Sequence, residues 1–590
     1  MKQRIDTLKR TRDIWFSLTL FFFIAFAYFC FVANYVLYFQ ETQALFVFSG
    51  EFLSQRLAKP GGLVEYAGRF FTQFYASRVA GSLIVAFFLT LPAVSMCHIN
   101  RKLIRGAEVS FPLMFVVPSL MMVMQSNYYH LMEYNIGFNL VMLFFLFAVS
   151  SAKPWRKAAV LLIFPLFWYV SGGYSLVFAG MYLVYILFAE KKNYSLIFAA
   201  LLVAVTGITF LIFSRVLFLE PPANIVFYPL PFLENSAYIA AFAVLVVFIV
   251  LYSLISRIVT RTTTGKLKTL HYTVTAGLIV VIALFLALKA YNSQTARVVE
   301  LERLVFAGKY DEAIKFQEKK PARNLIGQYF YNYSLAEAGK LCDRLFEGSQ
   351  DFGYGSLILP WGDVHLSRGA YFYYAIGLTN EAHRWAYEEM IVYGYRPENI
   401  KMLAKTSLLN GDYQMAQKYV NILKKTVFYR KWASELEKMI NDPALIQAHP
   451  EFGEKLKLIP STNFFVQFNE PQNNLPLIIE SHPGNKTALE YYLAGLLLSK
   501  NVEIAVDNIR KLRSLGYTRI PRYLEEAALI VYNSTGIAPD LGGLPLSAES
   551  SDRFSRYFTV YVAARQDQTR LKERMQKDFG DTFWYYFHFK

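Results

Sequence analysis

The side chains with chemistry to offer are acids, a histidine and arginines standing at the ends of long apolar runs. Glu41 follows directly on the first such run, Ile14 to Phe39. A carboxylate at the outer end of a membrane helix can meet a substrate at the interface; it can also simply be hydrated there. His130 and Glu133 lie in Tyr128-Tyr129-His130-Leu131-Met132-Glu133-Tyr134, between two further runs, and put more titratable groups on the same external side. Arg215 stands near the outer end of another run, where positive charge is otherwise sparse. A guanidinium there suits a lipid phosphate, which it holds through paired N–H donors, and equally suits snorkelling to ordinary headgroups. Arg69 and Arg78 carry the same two readings. Glu220 and Glu234 border a Pro-rich loop, Glu220-Pro-Pro and Tyr228-Pro-Leu-Pro231, which reads as a covering element.

Apolar helices must position these groups. A bilayer core takes roughly 20 apolar residues per helix. Nine candidate spans follow: 14–39, 79–97, 111–126, 136–151, 158–171, 173–189, 194–217, 236–256 and 270–291. The first run is too long for a signal h-region and lacks a small-residue cleavage site, so it reads as a helix that stays. Every second connection is basic: Lys2 to Arg12, then Arg101, Lys102 and Arg105, then Lys153, Arg156 and Lys157. Lys191 and Lys192 continue the series, followed by Arg257, Arg261, Lys266 and Lys268, while 127–135, 172 and 218–235 hold no Lys or Arg. By the positive-inside rule the N-terminus is cytoplasmic and the second half of the chain lies outside. The first external loop, 40–78, contains Lys59-Pro60-Gly61-Gly62, which separates two amphipathic helices lying along the membrane face.

From residue 292 the text changes to amphipathic helices of mixed charge. A pattern recurs in Gly308-Lys309-Tyr310-Asp311-Glu312-Ala313, Gly377-Leu378-Thr379-Asn380-Glu381-Ala382 and Gly411-Asp412-Tyr413-Gln414-Met415-Ala416, with a weaker match from Asn501 to Ala505. Gly377 and Gly411 are 34 residues apart, the tetratricopeptide period. Gly permits the tight turn between helices, and Ala lets the next helix approach. The expected fold is therefore all-α: a polytopic membrane domain over 1–291 and an external helical-repeat domain over 292–590, whose concave face would take a protein or glycan.

Composition narrows the functional classes. The chain has 590 residues, is 55% hydrophobic and carries a formal charge of +16. In a soluble protein that charge would suggest nucleic acid. Here it sits in short loops beside apolar runs with no basic-aromatic platform, so no nucleic-acid partner is expected. Three cysteines show neither metal-ligand spacing nor a disulfide framework. No phosphate loop, dinucleotide fingerprint, His-Glu-x-x-His or Gly-x-Ser-x-Gly element is present.

Lys59-Pro-Gly-Gly-Leu-Val-Glu-Tyr66, Phe71-Thr-Gln-Phe74, Leu359-Pro-Trp361 and Thr426-Val-Phe-Tyr-Arg-Lys-Trp432-Ala433 resemble a family of uncharacterised bacterial inner-membrane proteins with a domain of unknown function. In architecture the chain also resembles the C-type membrane glycosyltransferases, with many spans, interfacial helices in the first external loop and an acid near its start. Glu41 takes that acid's position, without the usual paired acidic residue. The likeness implies sugar transfer from a polyprenyl-phosphate donor to an acceptor outside the membrane. Glu41 would act as base or hold a divalent cation, and Arg215, with Arg69 or His130, would stabilise the departing phosphate. The rival reading is a membrane-anchored repeat scaffold that recruits envelope proteins.

Overall fold

The computed structural model describes residues 2–103, 112–150, 153–190, 194–218, 220–231, 235–262, 268–462, 464, 466–467, 469–563 and 568–590. Arg105, Lys191, Lys192, Glu234 and Lys266 lie outside the described residues. Every regular element among the described residues is helical. The chain forms two compact units, Met1–Asn292 with Lys425–Phe428, and Ser293–Lys424 with Tyr429–Lys590.

In the first unit five helices are long and apolar enough to cross a membrane: Arg12–Phe31, Arg78–Leu103, Met132–Val149, Ser195–Leu217 and Ser236–Val259. Val274–Lys289 makes a sixth only if counted with the helix after it. The expectation of nine spans is therefore corrected to five or six. Length is the physical reason. At 1.5 Å per residue, a hydrocarbon core of roughly 30 Å needs about 20 residues. Pro112–Gln125 and Tyr174–Glu190 fall in the shorter class of 10–17 residues. Pro154–Ser171 carries Arg156 and Lys157 near its start, which leaves too little apolar length.

The short segments fill the bundle. Val116–Gln125 packs against Arg78–Leu103, Ser236–Thr262 and Lys268–Lys289. Met96, Met114, Met121, Met122 and Met124 are buried around it, flexible thioethers suiting an irregular interior. Facing outward are Phe16, Phe23, Leu162, Leu196, Val203, Val247 and Val281, all exposed. An apolar exterior on helices of this length marks a membrane protein.

The second unit is built from consecutive helix pairs closed by one kind of turn. Ser293–Phe306 turns into Tyr310–Lys319, Leu366–Ala375 into Thr379–Tyr393, Pro397–Leu409 into Tyr413–Lys424, and Lys486–Leu498 into Val502–Asp507. At the first turn Gly308 N–H donates to the Val305 carbonyl and Lys309 N–H to that of Leu304, both at 2.9 Å. This is the Schellman arrangement, which consumes the last free carbonyls of the helix and requires left-handed backbone at the turn residue. Gly308, Gly377 and Gly411 have φ of +70°, +82° and +77°. Beyond each turn Ala313, Ala382, Ala416 and Ala505 are completely buried, where a larger side chain would push the paired helix away.

Candidate functional site

Three chain segments meet around Gly61 and Gly172, both in left-handed backbone. Gly61 N–H donates to the Tyr169 carbonyl at 2.8 Å, and Gly173 N–H to that of Tyr228 at 2.8 Å. The Tyr169 hydroxyl donates to the Leu57 carbonyl at 2.9 Å. A Cβ on Gly61 would stand 2.6 Å from Pro229 Cδ, and one on Gly172 would stand 2.3 Å from the Tyr228 carbonyl oxygen. Glycine at these two positions is therefore a condition of the three segments touching.

The closure assembles an ionic cluster. Glu65, on the helix Gly62–Thr72, is contacted by Arg69 at 2.9 Å, Lys59 at 3.3 Å and Arg56 at 3.8 Å. The Tyr228 hydroxyl donates to the same carboxylate, and Lys59 Nζ stands 3.8 Å above the Tyr228 ring. Burial alone would push the Glu65 carboxyl upward; Arg69, the Tyr228 hydroxyl, Lys59 and Arg56 together hold it below the ordinary range. Arg56 is lowered, by burial first and then by Arg69. Three cations thus share one fully neutralised carboxylate.

A second carboxylate lies against this cluster. Glu133 opens the helix Met132–Val149, and the helix Gly62–Thr72 packs on it so closely that a Cβ on Gly68 would stand 2.6 Å from Glu133 Cβ. Glu133 is 8% exposed, and among the described residues no hydrogen bond or ion pair closes on its carboxylate.

The residues just before Glu133 belong to a different environment. His130 is fully buried, with Nδ1 2.5 Å from the Tyr238 hydroxyl and Nε2 3.1 Å from Asn135 Oδ1. The amide oxygen only accepts, so Nε2 carries the proton and Nδ1 accepts from Tyr238. Burial lowers the imidazole to about 4, which keeps it neutral. Gln40 Nε2 donates to the His130 carbonyl at 2.9 Å, and Gln125 Nε2 to the same oxygen at 3.2 Å. This network fixes one wall of a cavity of about 740 Å³. Its lining joins Tyr35, Tyr128, Tyr129 and Tyr238 to Asn127, Asn235 and Asn292, with Ala237, Ala241 and Ala290 among the apolar members, and no lining residue is charged. The single segment Asn127–Glu133 therefore contributes to the cavity, to the buried network and to the ionic cluster.

Both units belong to one evolutionary object: the model of a family of unknown function, DUF6057, matches residues 11–590. The chain belongs to DUF6057. Comparisons of this DUF6057 chain with curated proteins and with solved structures gave no match.

The structure of the DUF6057 chain brings some sequence-predicted residues together and separates others. Arg69 and Glu133 meet in the ionic cluster, and Tyr128 lines the cavity, its ring edge-on to Phe39 at 4.9 Å. His130 is held within the wall by Tyr238 and Asn135. Glu41, at the end of the helix Asn34–Thr42, is only 3% exposed. Arg78 donates to the Cys30 carbonyl and stands 5.1 Å from the Phe31 ring centroid. Arg215 is exposed in the π-helical turn Phe213–Leu217 beside exposed Val216 and Leu217, the setting of a snorkelling arginine. Among the described residues no group of three or more His, Cys, Asp or Glu side chains is placed to hold a metal ion. Sequence reasoning passed over Glu65, Arg56, Lys59 and Tyr228 as a unit. The available signal was the pairing of Lys59-Pro-Gly-Gly with a second Gly-Gly at 172–173, since two glycine pairs in loops permit close backbone approach.

Proposed function

We propose that this DUF6057 protein is a glycosyltransferase of the bacterial cytoplasmic membrane, transferring a sugar from a polyprenyl-phosphate-linked donor to a protein or glycan acceptor on the periplasmic face. The observation that carries the reading is the segment Asn127–Glu133, which links an uncharged Tyr/Asn cavity to a cation-rich cluster. Tyrosine rings and asparagine amides suit the apolar faces and hydroxyls of a sugar. Arg69 and Lys59 are each about one-third exposed, and a phosphate leaving group would complete their charge balance.

In this mechanism Glu133, rather than Glu41, takes the proton from the acceptor hydroxyl. The oxygen then bonds to the anomeric carbon as the carbon–oxygen bond to phosphate breaks, and the lipid phosphate leaves with the electron pair beside Arg69 and Lys59. A base needs an unpaired carboxylate within reach of its proton, which favours Glu133 over the neutralised Glu65. The deciding experiment compares envelope glycans in a deletion strain complemented with wild type, Glu133→Gln or Glu41→Gln. The reading expects loss of a glycan that wild type and Glu41→Gln restore and Glu133→Gln does not, at equal protein levels. An unchanged glycan profile in the deletion strain would sink it.

The repeated Gly turns and buried alanines favour a second reading, a tetratricopeptide-like scaffold that recruits envelope proteins. In that case the deletion would change protein assemblies and leave glycans intact.

A further inference from the structure

The turns of the second unit follow one residue rule, and one of them departs from it. Gly308, Gly339, Gly377 and Gly411 all hold left-handed backbone. At three of these, Gly308, Gly339 and Gly411, an added Cβ would meet nothing within 4 Å, so backbone conformation rather than space selects glycine there. In the turn from Lys486–Leu498 to Val502–Asp507 the equivalent position is Lys500, with φ +60°. Its N–H donates to the Leu497 carbonyl and Asn501 N–H to that of Leu496, as in the other turns. Among the described residues Lys500 is the only non-glycine with positive φ. A lysine Cβ is disfavoured in this conformation, and strain kept where glycine would relieve it points to a use for the side chain.

Lys500 lines a cavity of about 470 Å³, within the size range of small-ligand sites. Its apolar wall includes Ile530, Phe554 and the 40% exposed Phe558. Asn533 and Ser534 add neutral hydrogen-bonding groups. Lys500 is exposed, and among the described residues no carboxylate lies at ion-pair distance from it; Glu503 shares the rim without pairing to it. The Lys500 ammonium stands 5.8 Å from the Tyr586 ring centroid, a contact that leaves its charge without a carboxylate, and an apolar slot with such a cation at its edge complements a ligand that joins an apolar group to a carboxylate.

We propose that this cavity binds the carboxyl-terminal end of a peptide, with its last apolar side chain between Ile530, Phe554 and Phe558 and its carboxylate on Lys500. The site goes beyond the transfer reaction and is independent of Glu133. A plain structural role for Lys500, a cation at a helix C-terminus, predicts no ligand.

The test uses the full chain in lipid nanodiscs and fluorescence anisotropy of labelled Gly-Ser-Gly-Ser-Leu-Phe, as free carboxylate and as amide. The wild type should bind the carboxylate form at least about tenfold more tightly, as expected for one charge-assisted contact. Lys500→Gly should erase that preference while its unfolding temperature holds or rises, because glycine relieves the turn. Phe558→Ala, on an exposed face, should weaken both forms. Equal affinity of the two forms, no binding of either, or wild-type binding by Lys500→Gly would overturn the proposal. So would binding of laurate without binding of peptide, which would assign the slot to a fatty acid.

Discussion

Each unit buries a carboxylate beside arginine, and the two solve the problem differently. In the second unit Arg522 bridges Glu526 at 3.1 Å and Asp581 at 2.9 Å, and Arg553 meets Asp581 at 2.7 Å. Phe583 N–H also donates to Glu526 at 2.6 Å. Arg522 also stands 3.8 Å from Glu347, itself paired with Arg344 at 2.7 Å, so every arginine of this group faces an acid. Burial still dominates there and pushes the Glu526 carboxyl up to about 7, although Arg522 and the Phe583 N–H pull it down. In the first unit Glu65 is also buried, yet Arg69, Lys59 and Arg56 outweigh desolvation and hold it below the ordinary range. The contrast is one of charge balance. The Arg522 group is matched internally and reads as structure, whereas the Glu65 group carries surplus positive charge that an anion can complete.

The strongest challenge to this contrast is Glu65→Gln, which strips three neighbouring cations of their shared partner. Loss of about 3–5 kcal/mol is expected from thermal unfolding of the full chain in nanodiscs. A loss below about 1 kcal/mol would mean that Glu65 is not what holds the cations together. The two carboxylates should also respond oppositely to acid, as followed by region-resolved hydrogen exchange. Glu65, with a depressed folded pKa, stabilises fully above about pH 4.3, and that stability fades as pH falls through its folded value. Glu526, with a raised one, stabilises fully below about pH 4.3, and its contribution is lost as pH rises through about 7.

Removing single arginines sharpens the comparison. Arg522→Gln leaves Glu526 and Asp581 without their bridge and should cost about 3 kcal/mol. Arg69→Gln leaves Glu65 with Lys59 and Arg56 and should cost about 1 kcal/mol or less, while weakening any function that draws on the full surplus charge. Equal losses would erase the distinction. Gly68→Ala tests the approach of Glu133 to the cluster. Its Cβ would meet Glu133 backbone atoms at 2.8 Å, so about 1–3 kcal/mol of destabilisation is expected. The smallest effect is Gly411→Ala, about 1 kcal/mol from backbone conformation alone, because nothing stands within 4 Å of the added methyl. Gly377→Ala should exceed it, since the Leu458 carbonyl oxygen lies 2.3 Å away.

Legibility followed range along the chain. The Gly377-to-Ala382 turn, the long apolar helices and the helices on either side of Lys59-Pro60-Gly61 all depend on neighbours a few residues apart, which the text displays directly. The shorter helices misled the span count because hydropathy marks an apolar run but not where its helix breaks, and Pro112–Gln125 and Tyr174–Glu190 fall short of the length a crossing takes. Lys500 was passed over because the repeat pattern begins there with lysine in place of glycine, and only the backbone reveals that the turn is the same.

The sequence by itself determined that the chain is helical and membrane-borne, that its character changes near residue 292, and that a short glycine turn recurs beyond it. These follow from local periodicity and from the energetic need to keep apolar runs out of water. Tertiary structure alone decided that Glu65 would gather three cations, that His130 would be locked neutral in a wall, and that Glu133 would be left unpaired beside the cluster. Residues 56–69, 133 and 228 share no sequence neighbourhood. They meet because Gly61, Gly68 and Gly172 let backbones approach to distances that any side chain would forbid, and burial and charge in that contact are properties of the assembled unit.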